Sequence, residues 1–501
     1  MLPFMDMDDD ACYRAIETRD SRFDGHLFVA VTTTGIYCRP FCPAPTPKRS
    51  NVRFFRTAAA AQEAGFRPCL RCRPETSPQL AFWSGGSNTV SRALCLIEDG
   101  ALDNGDVESL AVRLGVGERQ LRRLFRRHLG AAPISIAQTR RILLAKQLIQ
   151  DTKLSMTEVA STAGFGSLRR FNETFKSLFG RPPSGLRRPR SGEQGSGEPA
   201  AVAIRLGYFP PYDWDAMLTF LRDRAIKGVE AVSNGKYART IEIGTQQGLL
   251  IVEQADGNCL RIIVRFSNLT KLPAIIARVR RVFDLAADPV SINEHLGRDA
   301  SLAALVAARP GLRVPGAWDG FELAVRAILG EQTTVSVDAA SAGKLVAYYG
   351  KQIQQASANE FGLTHLFPTP LQIAHADLTI MPEPVRSALI GLGSLVVADP
   401  KFLGIGVSLQ EAIGRLRSIP DVAEATAQYI AMRGMREPDA FPSADPGLRQ
   451  AMKKATGTEC SPSKLLREAE RWRPWRAYAA LHLWSSYSDL SPFRKGTLDG
   501  R

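Results

Sequence analysis

The spacing of apolar positions changes character along this chain, and each change predicts a different kind of element. From Ser91 the period is helical, and two similar units follow. In the first, Leu110 to Gly117 leads into Glu118 to Gly130. There Leu121, Leu124, Phe125 and Leu129 recur at helical spacing and leave Arg122, Arg123, Arg126 and Arg127 on the polar side. In the second, Met156 to Phe165 leads into Ser167 to Pro183. Its apolar stripe is Leu168, Phe171, Phe175, Leu178 and Phe179, with Gly164 at a tight turn and Ser167 as N-cap. Ser191 to Pro199 has no apolar residue and three glycines, so it predicts a flexible linker at a domain boundary. Beyond it Thr240 to Ile243, Leu249 to Glu253 and Leu260 to Phe266 are β-branched and partly alternating. They predict a small antiparallel sheet flanked by a helix around Ala216 to Ala225. After Pro310 the pattern is helical again, over Phe321 to Gly330 and Ser463 to Trp484. Ahead of Ser91, Pro40, Pro43, Pro45, Pro47, Pro68 and Pro74 forbid long helices and favour rigid turns.

Those turns carry four cysteines. Cys38-Arg-Pro-Phe-Cys42 is followed after 26 residues by Cys69-Leu-Arg-Cys72, and two close pairs on separate turns can bring four thiolates to one tetrahedral Zn2+. On spacing alone this is a structural zinc knuckle. Cys12, Cys95, Cys259 and Cys460 are scattered, so reduced thiols are expected rather than a disulfide framework. A length of 501 residues allows three or four domains. The 64 Lys and Arg against 50 Asp and Glu give a net charge of +14 and a pI near 9.6, which suits a polyanionic partner, nucleic acid first. The excess is concentrated: from Arg113 to Arg141 eight arginines accompany one glutamate. Two helix-turn-helix units with arginines on the second helix of each predict paired major-groove readers, with a helical bundle carrying a solvated charged face as the alternative. Arg471-Trp-Arg-Pro-Trp-Arg-Ala-Tyr478 mixes arginine with aromatics, which could stack bases or fill a core. No apolar run has the length of a membrane span and the acidic Met5 to Asp10 is unlike a signal peptide, so a cytoplasmic protein without a membrane partner is expected.

The wording around the cysteines goes further. Val31-Thr-Thr-Thr-Gly-Ile-Tyr-Cys-Arg-Pro-Phe-Cys-Pro-Ala44 and Gly65-Phe-Arg-Pro-Cys-Leu-Arg-Cys-Arg-Pro74 resemble the N-terminal domain of the Ada methylation-response family, over about seventy residues. That resemblance implies one zinc ion held by Cys38, Cys42, Cys69 and Cys72, with Cys38 as the nucleophile that takes a methyl group irreversibly from a DNA phosphotriester. Removing one charge at ~6 Å and an effective dielectric of ~20 is worth roughly 3 kcal/mol, on the order of a hundredfold in DNA affinity, so the transfer could act as a switch. A structural zinc protein without methyl chemistry is the rival. Residues 85–190 resemble the AraC-type DNA-binding domain, whose recognition helices match Arg119 to Leu129 and Leu168 to Leu178. Arg119, Arg122, Arg123, Arg126, Arg169 and Arg170 are then the DNA-facing candidates, and promoter DNA and RNA polymerase the expected partners.

Pro210-Pro-Tyr-Asp-Trp214, Ala308 to Gly316, Ala327-Ile-Leu-Gly-Glu-Gln332, Phe367-Pro-Thr-Pro370 and Trp472 to Trp484 look like AlkA-type 3-methyladenine DNA glycosylases, from about residue 201 onward. The likeness implies a TBP-like sheet followed by a helix-hairpin-helix domain. It places the catalytic carboxylate at Asp445, a base pocket at Tyr429 and Trp484, and a wedge at Gln332. Ala425 stands where related lyases carry a Schiff-base lysine, so monofunctional excision is expected, and the solitary Cys460 argues against an iron-sulfur cluster. Three departures stand out. Where the family has Pro-Gly-Ile-Gly this chain has Pro420-Asp-Val-Ala-Glu424, which removes easy positive φ and puts carboxylates near a phosphate site. Ala425 replaces a pocket Trp, and Ser485 replaces an aromatic residue. No Pro-Cys-His-Arg motif occurs, so O6-methylguanine repair is not expected.

The expectation is a multidomain α+β protein. Its parts are a small zinc methyl-acceptor domain at 1–80, an all-helical double helix-turn-helix at 85–190, a linker at 191–200, a TBP-like α+β domain at 201–305 and an all-helical glycosylase domain at 306–501. It would accept methyl groups from double-stranded DNA, activate transcription and excise alkylated purines such as 3-methyladenine. The alternative is a regulator whose glycosylase domain is degenerate and non-catalytic.

Overall fold

The computed structural model describes residues 8–78, 88–103, 105–187, 201–330, 335–353, 360–379, 381–404 and 407–486. The expected linker at 191–200 and the wedge candidate Gln332 lie outside them. Two compact units form, one of Met1–Pro210 with Gln254–Ala277 and Leu285–Asp288, the other of Pro211–Glu253 with Arg278–Asp284 and Pro289–Arg501.

The proline-rich start of the first unit holds more regular structure than its turns suggested. After α1 (Asp9–Glu17), β1 (Phe28–Val31), β2 (Ile36–Cys38), β3 (Val52–Phe55) and β4 (Arg67–Pro68) make a sheet ordered β3-β1-β2-β4, with α2 (Ala58–Glu63) between the last two strands in sequence. Strand alternation sorts its side chains: Phe28 and Ala30 join Tyr37, Ala61 and Phe66 in one cluster, while Val29 joins Cys12, Ile16, Leu27 and Val52 in another. Six helices follow: α3 (Asn88–Glu98), α4 (Val107–Arg113), α5 (Glu118–Leu129), α6 (Pro133–Asp151), α7 (Met156–Thr162) and α8 (Leu168–Phe179). Ser155 and Glu158 close a capping box on α7, and Ser167 caps α8 by accepting from the Arg170 amide at 3.2 Å. Gly164, at φ +82°, makes the expected turn between them.

The expected stripes are buried at Leu121, Phe125, Leu129, Phe171, Phe175 and Phe179. Leu124 and Leu178 are half-buried. Leu168 departs from the expectation, because it opens α8 directly after the cap and remains 39% exposed.

All three expected strands of the next region are present, within β7 (Lys236–Ile243), β8 (Gln246–Ala255) and β9 (Cys259–Phe266), and the expected helix is α9 (Trp214–Asp223). Two strands escaped the sequence pattern, β5 (Val202–Gly207) and the four-residue β6 (Glu230–Ser233), which is too short to display a period. In the first unit β5 pairs antiparallel with β9, from Val202 opposite Val264 to Gly207 opposite Cys259. In the second, β6, β7 and β8 pair antiparallel in succession.

Beyond α10 (Leu272–Val282) the second unit is helical: α11 (Pro289–Leu296), α12 (Ala303–Ala308), α13 (Gly320–Gly330), α14 (Val335–Tyr349), α15 (Pro370–Ala374), α16 (Glu383–Ala398), α17 (Leu409–Arg417), α18 (Glu424–Arg433), α19 (Pro446–Thr456), α20 (Pro462–Ala469) and α21 (Arg476–Ser486). The helix expected over Ser463 to Trp484 is therefore two, because Pro474 lacks the amide that a continuous helix needs. Trp472, Trp475 and Tyr478 are buried, so this aromatic run fills the core rather than offering a stacking surface.

A buried ionic network ties the strands of the second unit to α13. Arg239 donates to Glu322 at 2.8 Å, Arg326 lies 2.9 Å from Glu322 and also pairs with Glu230, and the Tyr237 hydroxyl donates to Glu230 at 2.6 Å. Burial disfavours the Glu230 carboxylate, but Arg326 and Arg239 outweigh it and hold the group down at about 2. Since that lies below the ordinary 4.5, the network's contribution is fully present above pH 4.5 and is lost as pH falls toward 2. Arg239→Met strands part of two buried carboxylates, so it should cost about 3 kcal/mol in urea unfolding at pH 7 and less near pH 2. A cost below that of an ordinary surface change would remove the network from this role.

Candidate functional site

Strand pairing brings the two cysteine pairs together. Cys38 ends β2, β2 runs parallel to β4 with Tyr37 opposite Pro68, and the Cys69 amide donates to the Tyr37 carbonyl at 3.0 Å. The Sγ atoms of Cys38, Cys42, Cys69 and Cys72 all lie within 4.8 Å of one another. A tetrahedral Zn2+ with bonds of ~2.3 Å sets sulfurs ~3.8 Å apart, so this all-thiolate donor set fits that ion in size and in softness.

The four sulfurs are not equivalent. Cys69 and Cys72 are buried, whereas Cys38 and Cys42 are half-buried. Backbone amides donate to two of them: Arg71 to Cys69 and Arg39 to Cys72, each at 3.3 Å. Among the described residues no such bond reaches the sulfur of Cys38 or of Cys42, the two half-buried members of the set.

Arg39 was not singled out by any motif, yet it braces the centre. Its buried guanidinium pairs with Asp24, with Nε 2.8 Å from Oδ1, and donates to Thr76 Oγ1 at 2.8 Å and to the Cys72 carbonyl at 3.3 Å. The only sequence signal was its place beside Cys38.

On the helix-turn-helix units Arg119, Arg122, Arg123, Arg126, Arg169 and Arg170 are all exposed, as expected. Arg122 donates to Glu118 at 2.7 Å and Arg169 to Glu173 at 2.9 Å, one turn along their own helices. Exposed pairs of this kind are worth about 0.3 to 0.5 kcal/mol, so a phosphate can displace them. Arg126 is engaged differently, by Glu63 at the end of α2. Glu63 also accepts from the Ala132 amide at 2.9 Å, and Thr57 donates to the Leu129 carbonyl at 2.8 Å, so α2 brackets the junction of α5 and α6.

In the second unit Asp445 caps α19. Its Oδ1 accepts from the Leu448 amide at 2.8 Å and from Trp484 Nε1 at 2.9 Å, and the residue is 6% exposed. Gly447 leaves room for this, since a Cβ there would stand 3.1 Å from the same oxygen. Burial pushes the Asp445 carboxyl up, while the Trp484 indole and the backbone amides pull it down less strongly.

Tyr429 lies edge-on to Trp484 with ring centroids 6.4 Å apart, and its hydroxyl accepts from Arg433 at 2.5 Å. Trp484 and Ser485 line a cavity of about 380 Å3 together with Phe220, Arg224, Asp215 and Asp223. Phe220 escaped the sequence reading. Its ring lies 3.8 Å from the Arg224 guanidinium and 4.6 Å from that of Arg433.

The hairpin between α17 and α18 corrects one expectation. Positive φ is retained without glycine, because Asp421 adopts φ +56°. Aspartate tolerates the left-handed region better than most residues. Ala423 precedes α18 without a side-chain cap, so the first amides of that helix have no side-chain acceptor there, and Asp421 and Glu424 are exposed beside them.

Family models match three parts of this sequence: the metal binding domain of Ada over residues 11–75, a helix-turn-helix domain over 110–189 and the AlkA N-terminal domain over 203–319. A protein of Mycobacterium tuberculosis described as a probable bifunctional transcriptional activator/DNA repair enzyme AlkA is 40% identical over 483 residues, 96% of each chain. DNA-3-methyladenine glycosylase 2 of Escherichia coli is 34% identical over 285 residues, covering 56% of this chain and 95% of that one. Among solved structures, 3-methyladenine DNA-glycosylase from Archaeoglobus fulgidus superposes with a TM-score of 0.51 over 56% of this chain and 98% of its own, and at 18% identity that likeness is one of fold.

The raised Asp445 means that its charge is less welcome in the folded chain than in the unfolded one. Wild-type stability should therefore fall as pH rises through the ordinary carboxylate range toward the raised value. Asp445→Asn keeps a capping side chain and removes the charge. It should hold or raise the thermal midpoint at pH 7, and a fall of many degrees would contradict this electrostatic picture.

Proposed function

The chain belongs to the family of the bifunctional transcriptional activator/DNA repair enzyme AlkA, and from that premise we propose that it acts on alkylated DNA in three ways. It takes a methyl group from a phosphotriester onto Cys38, reads promoter DNA through α5 and α8, and excises alkylated purines at Asp445. As an activator it would engage RNA polymerase in the cytoplasm. The division at 80, 190, 200 and 305 assigns these acts to successive domains.

The observation that carries the reading is the difference among the four sulfurs. Zn2+, when bound, keeps such sulfurs as thiolates at neutral pH. Each amide hydrogen bond draws charge from its sulfur, so the half-exposed Cys38 and Cys42, without one, are the better nucleophiles of the set, and the match to the metal binding domain of Ada favours Cys38 between them. Its sulfur attacks the methyl carbon, the S–C bond forms as the C–O bond breaks, and the electron pair stays on oxygen to leave an ordinary phosphodiester. A thioether carries one negative charge fewer, which favours closer approach of the DNA backbone.

Excision needs less from the protein. An N-alkylated purine is cationic and leaves as a neutral base, taking the electron pair of the glycosidic bond. The Asp445 carboxylate offsets the charge that develops on the sugar, and a water then adds its hydroxyl to that carbon and gives its proton to solvent. Trp484 supports this in two ways, with its ring on the cavity and its indole N–H on the carboxylate. Tyr429 packs edge-on against that ring and lines a smaller neighbouring cavity with Arg224 and Arg433. The exposed Asp421 and Glu424 weaken phosphate anchoring at the hairpin, so binding rather than chemistry should limit the rate.

Peptide mass mapping after exposure to methylphosphotriester duplex should find the methyl group on Cys38 alone. Methyl on Cys42, Cys69 or Cys72, or transfer that survives Cys38→Ala, would overturn the assignment.

A second test concerns excision of 3-methyladenine from duplex under single-turnover conditions. Asp445→Asn should abolish it, and Trp484→Phe should slow it about tenfold to a hundredfold, the size of a lost hydrogen bond to a charged acceptor. Because the indole pulls the Asp445 carboxyl down, its removal should also move the acid limb of the pH profile upward. An unchanged rate and profile in Trp484→Phe would refute its role in positioning the carboxylate.

A further inference from the structure

The segment that leaves the fourth cysteine carries contacts that neither methyl transfer nor DNA reading uses. Arg73 follows Cys72 at φ +54° and turns the chain into a short 3-10 turn at Pro74–Thr76. On one side of that turn Glu75 pairs with Lys146 of α6, both wholly out of water, and accepts from Arg73 Nε at 3.0 Å. Arg73 Nη2 also reaches Asp151 at the end of α6, at 2.6 Å.

On the other side the same segment meets β5 through backbone. A Cβ at Gly207 would stand 2.2 Å from the Thr76 carbonyl oxygen and 3.1 Å from the Pro78 nitrogen, so only glycine permits the approach. Gln147, next to Lys146 on α6, donates to the Arg205 carbonyl of β5 at 2.8 Å. Phe209, just past the strand, is buried with its ring 4.6 Å from that of His26. Helix, turn and strand thus share one interface inside the first unit.

We infer that Arg73–Pro78 is a junction through which the cysteine centre fixes both the long helix α6 and the edge strand β5, so that loss of the metal loosens β5 as well as the DNA-reading helices. The physical reason lies in the buried Lys146. Among the described residues Glu75 is the carboxylate paired with Lys146, and an ammonium that has lost such a partner in the interior is strongly destabilising, so α6 cannot stay seated once Glu75 moves. The position of Glu75 is set three residues after Cys72, whose sulfur and carbonyl are both held by Arg39. Metal binding is therefore linked to the folding of every element that rests on this turn. The inference depends on the cysteines being a zinc site, and the experiment separates the two claims.

Hydrogen exchange of the full chain, zinc-loaded and after chelation, reads the coupling directly. Chelation should remove protection from residues 38–78, and also from α6 around Lys146 and from Val202–Gly207. From the opposite side, Gly207→Val and Lys146→Met should each speed zinc release to a chromogenic chelator by about tenfold, with far-UV circular dichroism showing each variant folded. Lys146→Met leaves the backbone contact at Gly207 intact, so it decides the matter if Gly207→Val does not fold. Loss of protection confined to 38–78, or release rates equal to wild type in a folded variant, overturns the junction while leaving the zinc site standing. A chain that binds no zinc overturns both.

Discussion

Arg39 lies one residue beyond the half-exposed Cys38, with its guanidinium out of water between Asp24, Thr76 and the Cys72 carbonyl. A buried charge is tolerable only when paired and hydrogen-bonded, and this requirement shapes the first unit. Asp24 is held in turn by Ser77 at 2.8 Å, so the loop before β1 and the segment after Cys72 close on the same cation. A short sheet with a small core could not hold four sulfurs in place by apolar burial alone. The paired interior charges and the amide donors to Cys69 and Cys72 supply the remaining constraint, and the two half-buried sulfurs, of Cys38 and Cys42, are left without such donors.

The second unit meets the same requirement differently. There Arg239, Arg326, Glu230 and Glu322 satisfy one another between the strands and α13. Asp445 is the exception, a buried carboxylate that accepts hydrogen bonds but has no cationic partner within ion-pair distance among the described residues. Its partners are an indole and helix amides, which keep it ionisable without neutralising it. That is the condition for a carboxylate that must meet a transient positive charge. Under the proposed function, a cationic substrate would supply the missing charge.

The hairpin illustrates how composition misleads when it is read apart from backbone. Replacement of glycine by Asp421 implied a turn without its left-handed residue, yet the turn keeps that residue and accepts its modest cost. The helix α18 that follows is entered through Ala423 without a side-chain cap. What changes is charge, since two exposed carboxylates now stand beside its first amides.

By itself the sequence determined the four cysteines that come together, the paired helix-turn-helix units and the sheet-then-helices order of the later half. These rest on spacing along the backbone, on period and on local capping, which neighbours in sequence decide between them. It did not determine which sulfurs are left without an amide donor, that Arg126 turns toward Glu63, that Trp472 and Trp475 are core, or that Glu75 must find Lys146 seventy-one residues away. Each of these depends on partners distant in the chain, and no local pattern encodes whether a charge or a ring will be met by such a partner or by water. Tertiary structure settled them because burial and pairing are properties of the assembled interior, where one unsatisfied group outweighs many favourable local preferences.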